Sequence, residues 1–116
     1  MVITRSEKDT DYQKILSMKE KYPDRCICFI QRETNCKTLP EMDKKRFLIP
    51  NEMPLIQVIG IIRKRMKMES ETAMFLFVGE KRKLYPATTL MIDAYNSEKS
   101  DDQMLYIYYN AENTFG

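Results

Sequence analysis

The sequence predicts an α+β domain, a four-stranded sheet with helices packed against its faces. Apolar runs of strand length recur at residues 26–30 (CICFI), 47–49 (FLI), 74–78 (MFLFV) and 104–109 (MLYIYY). Between the second and third runs the hydrophobic period changes. Leu55, Ile59, Ile62 and Met66 recur at steps of 4, 3 and 4, the spacing of one helical face. At 116 residues, 43% of them hydrophobic, the chain can bury one core without disulfides or metal.

Residues 1–10 are polar and mixed in charge, with Val2 and Ile3 as their apolar anchors. Asp11 is placed to cap a helix over 12–21, where Tyr12, Ile15, Leu16 and Met18 supply an apolar side. Tyr22-Pro23-Asp24 reads as a stop and turn. The run CICFI is continuous rather than alternating, so the strand should be covered on both faces. The 55–66 helix would cover one face and the 12–21 helix the other. Cys26 and Cys28 share a face and read as buried thiols. With Cys36 the cysteine count is odd and lacks C-x-x-C spacing, which argues against a zinc or redox site.

The basic triplet Lys44-Lys45-Arg46 leads into strand 47–49, which Pro50 terminates. In the 55–66 helix, at about 100° per residue, Val58 falls at the edge of the buried stripe, and Ile61 and Arg65 fall beside it. Gly60 lies on the exposed face and costs about 1 kcal/mol relative to Ala. Gly79 bounds the third strand, ahead of a charged loop over 80–83. A short helix is expected around 90–95, with Thr88 or Thr89 near its start, then an acidic turn over 97–103 and the last strand. Two strands, a helix and two more strands make the order of a β-grasp sheet, as in ubiquitin. Here an additional helix precedes it.

No histidine is present, which removes the commonest general base and metal ligand. There is no glycine-rich phosphate loop and no nucleophile motif, so the chain does not read as an enzyme or a cofactor carrier. A net charge of +2 gives little pull on nucleic acid. Arg63, Lys64, Arg65 and Lys67 read as a solvated helix face without the aromatic platform that nucleic-acid binding uses. No apolar run spans a bilayer and no signal-peptide pattern opens the chain, so a cytoplasmic or nuclear location is expected. Strand 47–49, apolar on both faces beside the flank of the 55–66 helix, fits a peptide-binding groove. It fits an edge strand packing inward equally well.

Segments 21–25 (KYPDR), 39–50 (LPEMDKKRFLIP), 62–65 (IRKR), 75–78 (FLFV) and 105–116 (LYIYYNAENTFG) point further. On these segments, in order and over about residues 10–116, the chain resembles the autophagy ubiquitin-like modifier family. That family includes the GABA-receptor-associated protein and the microtubule-associated light chain proteins. The resemblance implies an N-terminal helical segment (1–24) packed on a ubiquitin-like β-grasp core (25–110), then a flexible conjugation tail (111–116). It implies ligation of Gly116 to phosphatidylethanolamine by activating and conjugating enzymes, and release by a deconjugating cysteine protease. The protein would then be cytoplasmic, becoming bound to the autophagosome membrane when lipidated. A non-conjugated peptide-binding adaptor is the alternative.

The resemblance also implies recruitment of receptors carrying aromatic-x-x-aliphatic motifs, added as a strand along the edge at 45–49. The aromatic pocket would be lined by Met18, Ile27, Phe29, Arg46, Leu48 and Met104. The aliphatic pocket would be lined by Phe47, Ile49, Pro50, Met53, Val58, Ile61 and Arg65. Arg25, Lys44 and Arg46 would meet acidic residues flanking the motif. Phe75, Phe77 and Phe115 would serve recognition by the processing and conjugation enzymes, although Phe75 and Phe77 also read as core. The chain departs from the family at Ile27, where Pro is usual, and at Met104, where an aromatic is usual. Its 80–85 loop is longer.

Overall fold

Strand order decides where every other element sits. The computed structural model describes residues 2–42, 45–68 and 73–111, with side chains from Tyr12 onward. Its elements are α1 (Val2–Lys21), β1 (Arg25–Arg32), β2 (Arg46–Pro50), α2 (Leu55–Met66), β3 (Phe75–Val78), α3 (Met91–Glu98) and β4 (Leu105–Asn110). The sheet runs β2-β1-β4-β3. Its central pair, β1 and β4, is parallel, and both outer pairs are antiparallel. A parallel pair needs a long crossover, which the helices between the two halves supply.

Strand alternation then sorts the side chains. Cys26, Cys28 and Ile30 of β1 join Leu105, Ile107 and Tyr109 of β4 in the main core, under Leu55, Val58 and Ile62 of α2. Met91, Ala94 and Tyr95 of α3 close the same core. On the opposite face Ile27 and Met104 pack against Ile15 of α1, with Met18, Phe29, Leu48 and Tyr106 around them. The two-sided cover expected for β1 is therefore present. All three cysteines are free and buried, as expected. Gly60 faces open space.

Several boundaries differ from the sequence reading, each for a physical reason. Asp11 does not cap a helix: α1 starts at Val2, and with no Gly or Pro from 2 to 21 nothing interrupts it. Val58 is not at the edge of the α2 stripe but at its centre, 1% exposed, while Ile59 and Met66 are half-buried. Backbone bonds from Leu55 N–H to Thr89 O (2.9 Å) and from Ile56 N–H to Ala87 O (2.9 Å) tie the helix start down and set that rotation. Thr89 stands near the start of α3, as expected, one residue before its N-cap Leu90. The helix continues to Glu98, whose carboxylate accepts from Tyr85 Oη and pairs with Lys83 Nζ at 3.3 Å. β1 reaches Arg32 because β4 pairs with it as far as Arg32 opposite Tyr109.

Candidate functional site

β2 is the terminal strand, and its register places Leu48 opposite Ile27 and Phe47 opposite Cys28. Leu48 therefore shares the α1 face of the sheet with Ile27, and Phe47 shares the α2 face with Cys28. Between α1, β1 and β2 lies a cleft of about 500 Å³. Buried Ile15, Ile27 and Met104 form its floor and Met18 and Leu48 its walls, while Phe47, whose side chain packs on the α2 face, borders it along the strand. Lys14, Arg25 and Arg46 supply the charged groups at its rim. An apolar concavity with a few polar groups at its mouth is the usual composition of a ligand site.

The floor is held from behind. Asp102 accepts from the Met104 backbone N–H (3.0 Å) and from the Tyr106 hydroxyl (2.6 Å). Burial, reinforced by Asp102, pushes the Tyr106 hydroxyl above the ordinary tyrosine range, so it stays a donor. Phe29 does not line the cleft. It packs against Tyr106, ring centres 5.7 Å apart. The other five residues expected for the aromatic pocket are gathered at the cleft. So are Arg25, expected only as a flank contact, and Phe47, assigned to the other pocket. Lys14 and Ile15 were not anticipated. Their spacing of four and three residues from Met18 places all three along one side of α1 and was the available signal.

On the α2 face the second set is layered. Ile49 and Val58 lie beneath, in the main core, whereas Phe47 and Met53 are half-buried against it. Ile61 is 41% exposed and Pro50 is exposed. The Arg65 guanidinium stands 5.6 Å from the centre of the Phe47 ring, joining α2 to β2. Of the residues tied to enzyme recognition, Phe77 is fully buried and Phe75 half-buried. Lys44, Phe115 and Gly116 lie outside the described residues.

The two thiols of β1 are held protonated. Burial raises the Cys26 thiol to about 11, against a smaller opposing pull from Lys19, and raises Cys28 well above the ordinary range. Among the described residues no cluster of ligating side chains could hold a metal, and no helix is long and apolar enough to cross a membrane.

A mixed β2-β1-β4-β3 sheet, with α2 and α3 on one face and an N-terminal helix on the other, defines a ubiquitin-like protein with a cleft at its edge strand. The family model described as autophagy protein Atg8, ubiquitin like, matches residues 7–116, and the chain belongs to that family. It is 38% identical over 112 residues to autophagy-related protein 8e of Arabidopsis thaliana, covering 93% of this chain and 89% of that protein. It is 40% identical over 110 residues to autophagy-related protein 8 of Schizosaccharomyces pombe, covering 95% and 86%. The crystal structure of Trypanosoma brucei ATG8 superposes with a TM-score of 0.83 at 28% identity, covering 94% of this chain and 91% of that one. The β-grasp fold and the family resemblance are both borne out, and the chain is a ubiquitin-like autophagy protein.

Proposed function

We propose that this chain is a modifier ligated through Gly116 to phosphatidylethanolamine, and that its β2 edge captures aromatic-x-x-aliphatic peptides. The observation that carries the peptide reading is the apolar cleft of about 500 Å³ beside the terminal strand. A peptide added to β2 would be read on alternate faces, because successive side chains of a strand point oppositely. Residues three apart therefore face opposite sides. The aromatic would enter the cleft on the α1 face, and the aliphatic residue would meet Phe47, Met53, Ile61 and Arg65 on the α2 face. Arg25, Lys44 and Arg46 would attract acidic flanks and speed encounter.

The family match reaches residue 116, which supports Gly116 as the residue ligated. The unit 1–24 would be the helical segment, 25–110 the β-grasp core and 111–116 the tail presented to activating and conjugating enzymes and to a deconjugating cysteine protease. Phe75 and Phe115 would contact those enzymes, with buried Phe77 shaping β3 beneath. A diacyl lipid contributes about 0.8 kcal/mol per buried CH₂ on two chains, enough to hold the domain at the autophagosome surface until it is cut free. The test is reconstitution with the family's enzymes, ATP and phosphatidylethanolamine liposomes, read by intact mass. A gain of one lipid mapped to Gly116, absent in Gly116→Ala, supports the reading. No gain with folded protein and competent enzymes refutes conjugation and leaves the groove as the function.

A further inference from the structure

We infer that the cleft selects tyrosine over tryptophan as the aromatic residue of its peptides, and that Lys14 sets this choice. The inference rests on the peptide-binding reading above. Among the described residues, every polar side chain lining the cleft is a cation, namely Lys14, Arg25 and Arg46. Ammonium and guanidinium groups donate hydrogen bonds and accept none. The floor side chains of Ile15, Ile27 and Met104 offer nothing beyond a weakly accepting thioether. Asp102 is not part of the lining, and its two oxygens already accept from Met104 N–H and the Tyr106 hydroxyl.

An indole carries one polar group, an N–H that can only donate. Inside this cleft it exchanges water for a rim of donors and stays unsatisfied. A phenol carries a donor too, but its oxygen also accepts, so it gains a hydrogen bond from Lys14 Nζ or a neighbouring guanidinium that indole cannot make. Size does not decide, since about 500 Å³ admits either ring. A cation over the ring face favours indole, but phenol draws on the same attraction, so the difference is smaller than the gain from a charge-assisted hydrogen bond to the phenol oxygen. All three cations are exposed, and Lys14 is the one carried by α1, where substitution leaves the sheet untouched.

The experiment is calorimetry on the full chain with three peptides identical except for Tyr, Phe or Trp at the aromatic position. The Tyr peptide is expected to bind about tenfold more tightly than the Trp peptide, with Phe between. Lys14→Glu removes a donor to the phenol and brings an acceptor that the indole N–H can use, so it should close the Tyr–Trp gap. Lys14→Met should shrink the gap without closing it. Thermal melting, unchanged in both variants, shows that the fold is intact. Equal or tighter Trp binding by the natural chain overturns the inference, as does a Tyr–Trp gap that ignores Lys14→Glu, and either leaves the peptide-binding reading standing. Binding of none of the three peptides removes that reading, and this inference with it.

Discussion

The Arg82 guanidinium stacks on the Tyr108 ring, 3.4 Å from its centre, and its Nε donates to Glu33 Oε2 at 2.7 Å. One side chain from the turn after β3 thus clamps β4 and the segment following β1. Arg82 holds a left-handed backbone, φ 55°, in a turn closed by the paired backbone bonds of Val78 and Lys83. Two opposing effects follow. Arg82→Ala should cost about 1–3 kcal/mol by removing the stack and the partly screened ion pair. Arg82→Gly loses the same contacts but relaxes the backbone, so it should be about 1 kcal/mol more stable than the alanine variant. Urea unfolding of the two variants side by side checks the order.

Gly79 begins that turn at φ 80°, and a Cβ there would meet Glu98 Cβ at 2.9 Å and Oε1 at 3.1 Å. The collision is with the end of α3, so the helix must shift or the Glu98 contacts must open. Gly79→Ala should destabilise by about 2 kcal/mol, combining left-handed backbone cost with overpacking. The readout is the midpoint of chemical denaturation, together with loss of amide protection at Lys99, whose N–H donates to Tyr95 O.

Stability should fall at both ends of the pH scale. The Tyr85 hydroxyl, and then Lys83, hold the Glu98 carboxyl below its ordinary 4.5. A depressed carboxylate contributes stability that is fully present above the unfolded value and is lost as pH falls through the folded one. Glu98→Gln should therefore flatten the decline below about pH 4.5. At the other end, burial pushes the Tyr95 hydroxyl up to about 12. A raised tyrosine contributes stability that is present below its ordinary 10 and lost as pH rises toward 12. Tyr95→Phe should be less stable than the natural chain at neutral pH and converge on it in alkali. Thermal melts across the pH range test both limbs.

Much of this architecture is visible in the residues because the hydrophobic period changes where the chain changes element. The cleft was half visible. Its strand side follows from alternation, which puts Leu48 and Ile27 on one face once β1 and β2 are paired. Its helix side was hidden because α1 is mostly charged and polar, so Lys14 and Ile15 stand out only when Met18 is already known to face the sheet. The rotation of α2 was under-determined for the opposite reason. Isoleucine or valine stands at 56, 58, 59, 61 and 62, so stripes centred on Val58 or on Ile59 fit almost equally. Tertiary bonds to Ala87 and Thr89, far along the chain, decide between them. The same distance effect lengthens α3, whose last residue is held by Tyr85 and Lys83 rather than by its own propensity.

Floor and wall of the cleft should respond differently to the same truncation. Ile27 is 3% exposed and packs between Ile15 and Met104, whereas Leu48 is half-buried on the outer strand. Ile27→Ala leaves a cavity in the smaller core and should cost about 2–4 kcal/mol of stability. Leu48→Ala opens toward solvent, so surrounding side chains and water fill the space and the stability cost should be about 1 kcal/mol. Binding should follow the reverse logic. Leu48 forms a wall against which an incoming ring would lie, so its loss should weaken aromatic-x-x-aliphatic peptides about tenfold in a chain that still melts near the natural temperature. Calorimetry and melting on both variants separate the two roles. Peptide affinity unchanged in Leu48→Ala would mean that the ring does not enter this cleft, whatever the stability data show.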